Sequence, residues 1–557
     1  MSDKSNRCVT RTESDSLGAT LGRLRLYRSL VLAAYVVVGV LWSVCVPTFE
    51  AVDENDHFAY IVFLAREHRL PALVGQQPEA GNQDYQPPAY HAMVACVYRA
   101  LFENAEVAGL RQRSELARSH KPPMWFEHGE EERFPFSGIA RTVHVLRVFS
   151  VLVGLVALVF LYQALCVLFP PPSVVPLAGL GWAAFLPGFV FSCARVGNDC
   201  LAAAVGAAVL AHALKMTCGE SRSRDWAILG AWVGFGILAK LTVLPVAAGA
   251  VCVLAWSERK NWRQMLLGLA CFSCCVLAVS GWWLIRNFQL YGDPTAMGAF
   301  VKLRQQWFCT QPWNSDFIVF LAHGVLNSYW GNFGHLTVPM NHWVYRGANV
   351  MMLVCLVVSF WSGWKQWPRW SQGVRRGIWL LIIATVASLA ALARFALYRA
   401  GAEGRYLLPG YAAHALVVAV AILALGQSFL KHPVRNSRRL CLMTSFVGLV
   451  MWISQGPLLK VVNVLVTYWV SWKPRFMTLG FYLEVGHCLY LGLCVSLLAA
   501  AVTSGAFWSW QARRARSETT LSAWWRERRF ALALGWGAVM LGFNVFCLAK
   551  FLLPVYR

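Results

Sequence analysis

An acidic cluster near the start of the chain follows directly on an apolar run over residues 29–47. The stretch FEAVDENDHF places Asp53, Glu54, Asp56 and His57 within five residues. Carboxylates and an imidazole can exchange protons with a substrate or hold a cation. The plain alternative is a solvated loop, because acidic residues in a loop on the outer side of a membrane do not oppose the membrane topology. The rest of the chain decides between the two.

The residues around this cluster indicate helices that could position it. Asp53 and His57 are four apart, so a helix beginning near Ala51 places both on one face. The apolar spacing that follows is typical of an amphipathic helix lying on a membrane surface. Further along, DYQPPAYHAMV (Asp84–Val94) carries a Pro-Pro that ends one element and starts another amphipathic helix.

The composition places these helices in a membrane protein. Of 557 residues, 57% are hydrophobic and only 14% charged, whereas soluble domains average about 25% charged residues. Apolar runs long enough to cross a ~30 Å bilayer core recur along the whole chain. We predict an all-α polytopic protein with about thirteen transmembrane helices, with 226–256 the least certain pair. The predicted spans lie near residues 28–47, 148–168, 175–195, 199–216, 226–240, 241–256, 264–285, 348–364, 378–398, 407–430, 440–457, 482–505 and 530–552.

The basic residues predict the orientation, since Lys and Arg are retained on the cytoplasmic side. They cluster in the N-terminal tail and in every second loop after it, which predicts a cytoplasmic N-terminus. The net charge of +23 is then explained by topology and anionic lipid, and nucleic acid is excluded as a partner because no basic domain stands apart from the spans. We expect a multi-pass protein of the cytoplasmic (inner) membrane. The basic loops include residues 222–224, 259–263, 365–376, 431–439 and 513–529.

The domain organisation predicted from this pattern has three parts. Residues 1–27 form a cytoplasmic tail, and residues 28–430 form a transmembrane catalytic module with long outer loops at 48–140 and 286–347. Residues 431–557 add C-terminal transmembrane helices without recognised motifs. The long loops lie on the same outer side as the acidic cluster.

These motifs together resemble a known class of enzyme. DENDHF, followed about thirty residues on by QPPAYH, resembles the first-loop signature of GT-C glycosyltransferases. Protein O-mannosyltransferases carry Asp-Glu, two residues, then His-Phe, with a later Pro-Pro in the same loop. Lipid A aminoarabinose transferases have a related Asp-Glu start, and a closer resemblance is to uncharacterised multispanning bacterial proteins with an Asp-Glu-x-x-His motif. The other marks of that group appear in order as RVFSVLVG (Arg147–Gly154), LPGFVFSCARVGND (Leu186–Asp199), WWLIRNFQLYGDP (Trp282–Pro294), SYWGNFG (Ser328–Gly334) and GRYLLP (Gly404–Pro409).

The resemblance implies a GT-C-like fold and the transfer of a sugar from a polyprenyl-phosphate carrier to an envelope glycan, lipid or protein acceptor outside the membrane. Such a transfer needs a carboxylate to take the proton of the acceptor hydroxyl. Asp53, the first acid of the Asp-Glu pair, is the expected general base of an inverting reaction. Repulsion from Glu54 and Asp56, together with a low dielectric, is expected to raise the pKa of Asp53, and His57 is expected to orient it.

The leaving lipid phosphate implies a cationic site. Arg405 and Arg286 lie at the outer ends of predicted spans, and a guanidinium suits bidentate contact with phosphate. Tyr406 is expected to support Arg405, and Lys240 is a further candidate for the donor phosphate. The alternative for both arginines is interfacial snorkelling of the side chain.

A second acidic position of the family matches Asp199, which could orient the acceptor or help to hold a divalent ion. The alternative is a helix N-cap formed by Asn198 or Asp199. Glu54, His57 and Asp199 are candidate metal ligands, although their spacing selects no particular metal, so a divalent cation as cofactor stays open.

Two departures from the mannosyltransferase pattern matter. Asp56, inserted between Glu54 and His57, raises the question of which acid is the base. Gln86 stands where those enzymes have a His before the Pro-Pro, so no role of that His is carried over.

Two other functions remain open. A lipid-linked glycan polymerase or ligase would use Arg and His on a large outer loop near the C-terminus, and the 458–481 loop looks too modest for that. A transporter of lipid-linked glycans, or a non-catalytic membrane partner, would be expected to show broken-helix pairs and mid-span charges. The sequence shows no broken-helix pair and few ionisable residues within the predicted spans.

Overall fold

The computed structural model describes residues 2–74, 77–102, 125–219, 221–308, 313–398, 403–431, 535–547 and 550. The chain divides into two compact units, residues 1–422 with 533–557, and residues 423–532. The described part of the second unit is the end of one helix. The domain boundary predicted at residue 430 stays a prediction.

The described chain is mostly helical, as predicted. Its α-helices are α1 (Ser2–Cys45), α2 (Glu54–Glu67), α3 (Ala89–Phe102), α4 (Gly138–Leu168), α5 (Val175–Ala184), α6 (Pro187–Cys193), α7 (Asp199–Cys218), α8 (Ser223–Ala239), α9 (Leu244–Glu258), α10 (Trp262–Tyr291), α11 (Met297–Leu303), α12 (Ser315–Gly331), α13 (His342–Gln366), α14 (Gln372–Ala396), α15 (Tyr411–Lys431) and α16 (Gly535–Cys547).

Short elements connect these helices. Two antiparallel hairpins pair β1 (Leu73–Val74) with β2 (Gln77–Pro78), and β3 (Asn332–Phe333) with β4 (Val338–Pro339). The 3₁₀ turns are Glu130–Glu132, Leu241–Val243, Arg259–Asn261, Gln305–Trp307, Trp367–Arg369 and Gly404–Gly410.

Seven described helical stretches are long and apolar enough to cross a membrane, or eight if the bent pair α5–α6 counts as one span. The chain is therefore a multi-pass membrane protein, as predicted, while the total of thirteen and the orientation stay predictions. The predicted spans at 440–457 and 482–505 lie outside the described residues. The seven stretches are Gly18–Cys45, Gly138–Leu168, Asp199–Cys218, Leu241–Tyr291, His342–Arg369, Gln372–Ala396 and Gly404–Gly426.

The two predicted amphipathic helices of the first loop are present as α2 and α3. α2 begins at Glu54 rather than near Ala51, and α3 follows the Pro-Pro, as the sequence indicates. Each helix buries one face, and the two pack against each other. They carry the acidic cluster and the QPPAYH motif side by side.

The predicted pair at 226–240 and 241–256 forms two helices, α8 and α9, with a break at Lys240. The backbone of Lys240 is extended, with φ −169° and ψ 136°. The carbonyl of the preceding residue, Ala239, accepts a hydrogen bond at 3.2 Å from the amide of Asn198, next to the start of α7. The break thus brings Lys240 next to Asp199.

Two glycines bring the 3₁₀ segment Gly404–Gly410 against neighbouring helices. A Cβ on Gly404 would lie 2.4 Å from the backbone nitrogen of Tyr329 in α12, and a Cβ on Gly206 of α7 would lie 2.4 Å from the carbonyl oxygen of Pro409. Side chains at either position would push the segment away. The glycines therefore fix where Arg405 lies.

Candidate active site

A cavity of about 200 Å³ lies where the first loop meets α9, α14 and the Gly404–Gly410 segment. Its lining combines charged and polar side chains with apolar ones. The titratable and amide side chains of the lining are Asp53, His57, Gln83, Tyr85, Gln86, Lys240, Arg405 and Tyr406. The rest of its wall is Pro87, Leu241, Thr242, Pro245, Met297, Ser388, Ala391, Leu392 and Phe395.

Asp53 lies at the N-cap of α2 in the left-handed conformation, with φ 60°. Among non-glycine residues, Asp and Asn adopt this conformation most readily. The turn points its carboxylate at Arg405, whose Nη2 donates to Oδ2 at 2.8 Å. Asp53 and His57 line the same cavity, although Asp53 lies outside α2 and does not share a helix face with His57 as the sequence predicted.

The expected raised pKa of Asp53 is wrong. Burial does oppose ionisation, but the charge of Arg405 and the hydrogen bond that it donates outweigh burial and hold the pKa of Asp53 well below its ordinary value. The sequence did not reveal that a cation 352 positions away would pair with this acid. With Arg405 in place, Asp53 is a weak base.

Asp199 lies at the buried start of α7 and contacts three cations. Lys240 Nζ donates to its Oδ1 at 2.5 Å, Arg195 pairs with its Oδ2, and Arg405 Nη1 lies 3.4 Å from the same oxygen. Its side chain is 2% exposed, so Asp199 organises the cations of the site and has little access to the cavity.

Glu403 holds the other edge of the Arg405 guanidinium. Arg405 Nε lies 2.6 Å from Glu403 Oε2 in an ionic contact, and Nη2 donates to Oε1 at 3.2 Å. The phenol of Tyr406 donates to the same Oε1 at 3.2 Å. Lys240 Nζ and the Arg405 guanidinium carbon lie 5.6 and 5.4 Å from the centre of the Tyr406 ring, so Tyr406 supports both cations, as predicted for Arg405.

His57 belongs to a chain of rings that ends at a backbone carbonyl. Its Nδ1 lies 2.8 Å from Nε2 of His91, and His91 Nδ1 lies 3.2 Å from the carbonyl oxygen of Pro87. Burial lowers the pKa of His91 to about 3, and burial followed by the nearby His91 lowers the pKa of His57. With both rings neutral, His91 donates to Pro87 and accepts from His57, so His57 Nε2 carries a lone pair.

Glu54 lies away from the cavity, although the sequence placed it among the catalytic and metal-binding candidates. Arg147 of α4 donates to both of its oxygens, from Nε at 2.8 Å and from Nη2 at 2.6 Å, and the two side chains are fully buried. The backbone nitrogens of Val196 and Phe49 also donate to it. Glu54 therefore joins α2, α4 and the chain before α7.

Two further predicted residues also lie outside the cavity lining. Asp56 accepts from the amide of Asn82 at 3.0 Å, and burial raises the pKa of Asp56. Arg286 donates to the carbonyl of Pro71 at 2.7 Å, so it holds the first loop. Both assignments are corrected to structural contacts.

The metal candidates Glu54, His57 and Asp199 do not converge. Within the described residues, no group of three or more His, Cys, Asp or Glu side chains is placed to hold a metal ion.

The sequence reasoning missed three important residues. Glu403 directly precedes the GRYLLP motif, His91 ends QPPAYH, and Arg147 opens RVFSVLVG, yet none was given a role. A signal was available for Arg147, because a charge beside a transmembrane run needs a partner. The partner itself could not be read from the sequence.

Comparison with known families supports the resemblance. Residues 139–284, which include Asp199 and Lys240, match the family model for dolichyl-phosphate-mannose-protein mannosyltransferase. No curated protein matches the chain significantly.

Several solved structures resemble this fold at 12% sequence identity. ArnT from Cupriavidus metallidurans bound to undecaprenyl phosphate has a TM-score of 0.49 over 94% of this chain and 77% of that chain, and its apo form has 0.48 over 94% and 78%. The Archaeoglobus fulgidus oligosaccharyltransferase in complex with Zn and sulfate has 0.40 over 74% and 51%. These TM-scores and this sequence identity are too low to assign a function. The family-model match confirms the predicted resemblance to GT-C-type glycosyltransferases, and with it an enzyme of the glycosyltransferase class.

Proposed function

We propose that this protein moves a sugar from a polyprenyl-phosphate carrier to an acceptor on the outer face of the membrane. The observation that carries the proposal is that two cations, Lys240 and Arg405, line one cavity together with apolar side chains. A lipid-linked phosphate sugar combines the matching groups, an anionic phosphate and a hydrocarbon tail. The match to a family named for a dolichyl-phosphate sugar donor supports the same carrier class.

The donor phosphate fits between Lys240 and Arg405, the two cations that line the cavity. Charge-assisted hydrogen bonds from such groups stabilise the negative charge that develops as the phosphate leaves. The apolar wall, which includes Leu241, Leu392 and Phe395, takes the first isoprene units. Both halves of the donor then lie within one cavity.

In the proposed reaction, Asp53 removes the proton from the acceptor hydroxyl as its oxygen attacks the anomeric carbon of the sugar. The bond from that carbon to the phosphate oxygen breaks, and the polyprenyl phosphate leaves with the electron pair. One displacement inverts the anomeric configuration. The neutral Nε2 of His57 accepts a hydrogen bond from a substrate hydroxyl and helps to orient it.

The direct test uses purified protein in liposomes with a labelled polyprenyl-phosphate sugar and a panel of lipid, glycan and peptide hydroxyl acceptors. Transfer of one sugar with inverted configuration is expected, with Asp53→Asn protein as the matched control. Chain growth would instead indicate a polymerase or ligase. Movement of intact donor across the bilayer without transfer would indicate a transporter.

The outer-face orientation has its own test. A single cysteine replaces Arg133 or Arg369, both exposed, in a chain otherwise free of cysteine. A membrane-impermeant thiol reagent added outside cells is expected to label position 133 and not position 369. Labelling at 369 alone would reverse the orientation and place the cavity on the inner side.

A further inference from the structure

We infer that the donor phosphate and Asp53 compete for Arg405, so that donor binding releases Asp53 to act as the base. The inference rests on the proposed function and adds an order of events to it. Asp53 becomes basic enough to accept a proton only after the donor phosphate has bound.

The first observation is that carboxylates face both the Nε–Nη2 and the Nη1–Nη2 edges of the Arg405 guanidinium. Its Nε–Nη2 edge faces Glu403, with contacts of 2.6 and 3.2 Å. Its Nη1 and Nη2 groups face Asp199 and Asp53, at 3.4 and 2.8 Å. A bidentate phosphate contact needs one whole edge of the guanidinium, so a carboxylate must give way before the donor phosphate can use Arg405 in this manner.

The second observation identifies the carboxylate that gives way. Asp199 is also paired with Lys240 and Arg195, and its side chain is 2% exposed. Glu403 is 9% exposed and faces the Nε–Nη2 edge. Asp53 is 30% exposed, lines the cavity, and within the described residues has Arg405 as its one ion-pair partner.

The third observation is the charge balance. Three carboxylates, Asp53, Asp199 and Glu403, face three cations, Arg195, Lys240 and Arg405, so the cluster is neutral before the donor arrives. An incoming phosphate adds negative charge, and the acid nearest the cavity loses its counter-ion to it. The cation that lowers the pKa of Asp53 is then shared with the phosphate, so the carboxylate becomes more basic at the moment when a base is needed.

The test measures binding of undecaprenyl phosphate to the full-length protein in detergent, by titration of tryptophan fluorescence or by native mass spectrometry. Asp53→Asn removes the competing charge, and Asn tolerates the left-handed backbone. The variant is expected to bind the lipid phosphate about 3–10-fold more tightly than the wild type, although it cannot transfer sugar.

Asp56→Asn is the matched control, because it removes the same charge three residues further along and Asp56 is bonded to Asn82 instead of Arg405. Its affinity is expected to equal that of the wild type. Equal tightening by both variants would overturn the inference, since it would reflect the general field and not competition for Arg405.

A second variant isolates Arg405. In an Arg405→Ala background, Asp53→Asn should give no gain in affinity, and a gain that persists there would also overturn the inference. If the wild type binds and Asp53→Asn binds equally or more weakly, the inference fails while the proposed function stands. If the wild type does not bind undecaprenyl phosphate at all, the proposed function fails and takes the inference with it.

Discussion

Asp53 and Glu54 are adjacent acids with opposite surroundings. Glu54 is fully buried, with both oxygens held by Arg147 and by two backbone nitrogens. Asp53 is 30% exposed at a cavity and pairs with Arg405. The first pair is closed to any substrate, whereas the second is open to one. The difference shows that a carboxylate in a charged cluster is available for chemistry only where the fold leaves its partner within reach of a ligand.

The left-handed turn at Asp53 produces this difference. Asp53 lies outside α2, while Glu54 is its first residue, so the two side chains leave the chain in different directions. A helix that began at Ala51, as the sequence suggested, would not have made this separation. The predictions that follow test the contrast between the open and the closed pair.

The largest effect is expected at the open acid. Asp53→Asn keeps the shape and the backbone conformation but cannot accept a proton, so sugar transfer should fall by about 10²–10⁴-fold with normal folding. Initial transfer rates at matched protein level are the measurement, with Asp56→Asn as the control. An active Asp53→Asn beside an inactive Asp56→Asn would show that the base is three residues further along.

The closed acid should instead affect stability. Glu54→Gln leaves the Arg147 guanidinium buried beside a neutral amide, which should cost about 3–5 kcal/mol in the free energy of unfolding. Denaturant unfolding in detergent, with Glu54→Asp as a milder variant that keeps the charge, measures the loss. A Glu54→Gln protein that has wild-type stability and cannot transfer sugar would contradict the structural role of Glu54.

The two arginines predicted to bind the donor phosphate allow a second comparison, between Arg405, which lines the cavity, and Arg286, which does not. Arg405→Lys keeps the charge but loses the planar fork, and should raise the KM for the lipid donor about 10-fold. Arg286→Lys should leave the KM within about twofold, because Arg286 contacts carbonyls of the first loop. Equal effects of the two substitutions on KM would place Arg286 back at the donor.

A second group of paired side chains, His128 with two acids, should have a smaller effect on the free energy of unfolding, and this effect should depend on pH. His128 lies between Glu132 and Glu50, at 2.8 and 3.0 Å. Burial disfavours its charge, but hydrogen bonds to both acids raise the pKa of His128 to about 9 from an ordinary value of 6.5. Its stabilisation, about 1–2 kcal/mol after allowance for solvent, should be complete below pH 6.5 and lost as the pH rises through 9.

Thermal unfolding of the wild type and of His128→Gln across this pH range checks the prediction. The difference in midpoint between the two proteins should shrink as the pH rises, with transfer activity compared at one pH as a control. A difference that grows with pH would contradict a protonated His128 in this group.

The sequence predicted those features that depend on local pattern. Apolar runs indicated the membrane spans, and the Pro-Pro indicated the start of α3. The outer-side placement of the motifs indicated that Asp53, Asp199 and Arg405 lie at the same surface, and the structure brings them together.

Features that depend on pairing over long distances could not be read. The partner of Glu54 is 93 residues away, and that of Asp53 is 352 away. A basic residue at the end of a span looks the same in sequence whether it faces a cavity, as Arg405 does, or holds a loop, as Arg286 does. The direction of the pKa shift of Asp53 depends on that distinction, which explains why the expectation was wrong.

Gly404, which begins the Gly404–Gly410 segment, and Gly206, which lies against that segment, also bear on which substitutions this protein can accept. A Cβ at Gly206 or Gly404 would lie within 2.4 Å of the backbone that it faces, so the position of the segment depends on the absence of a side chain at both residues. A variant library is therefore expected to reject side chains at both glycines, because either one would displace the segment that carries Arg405.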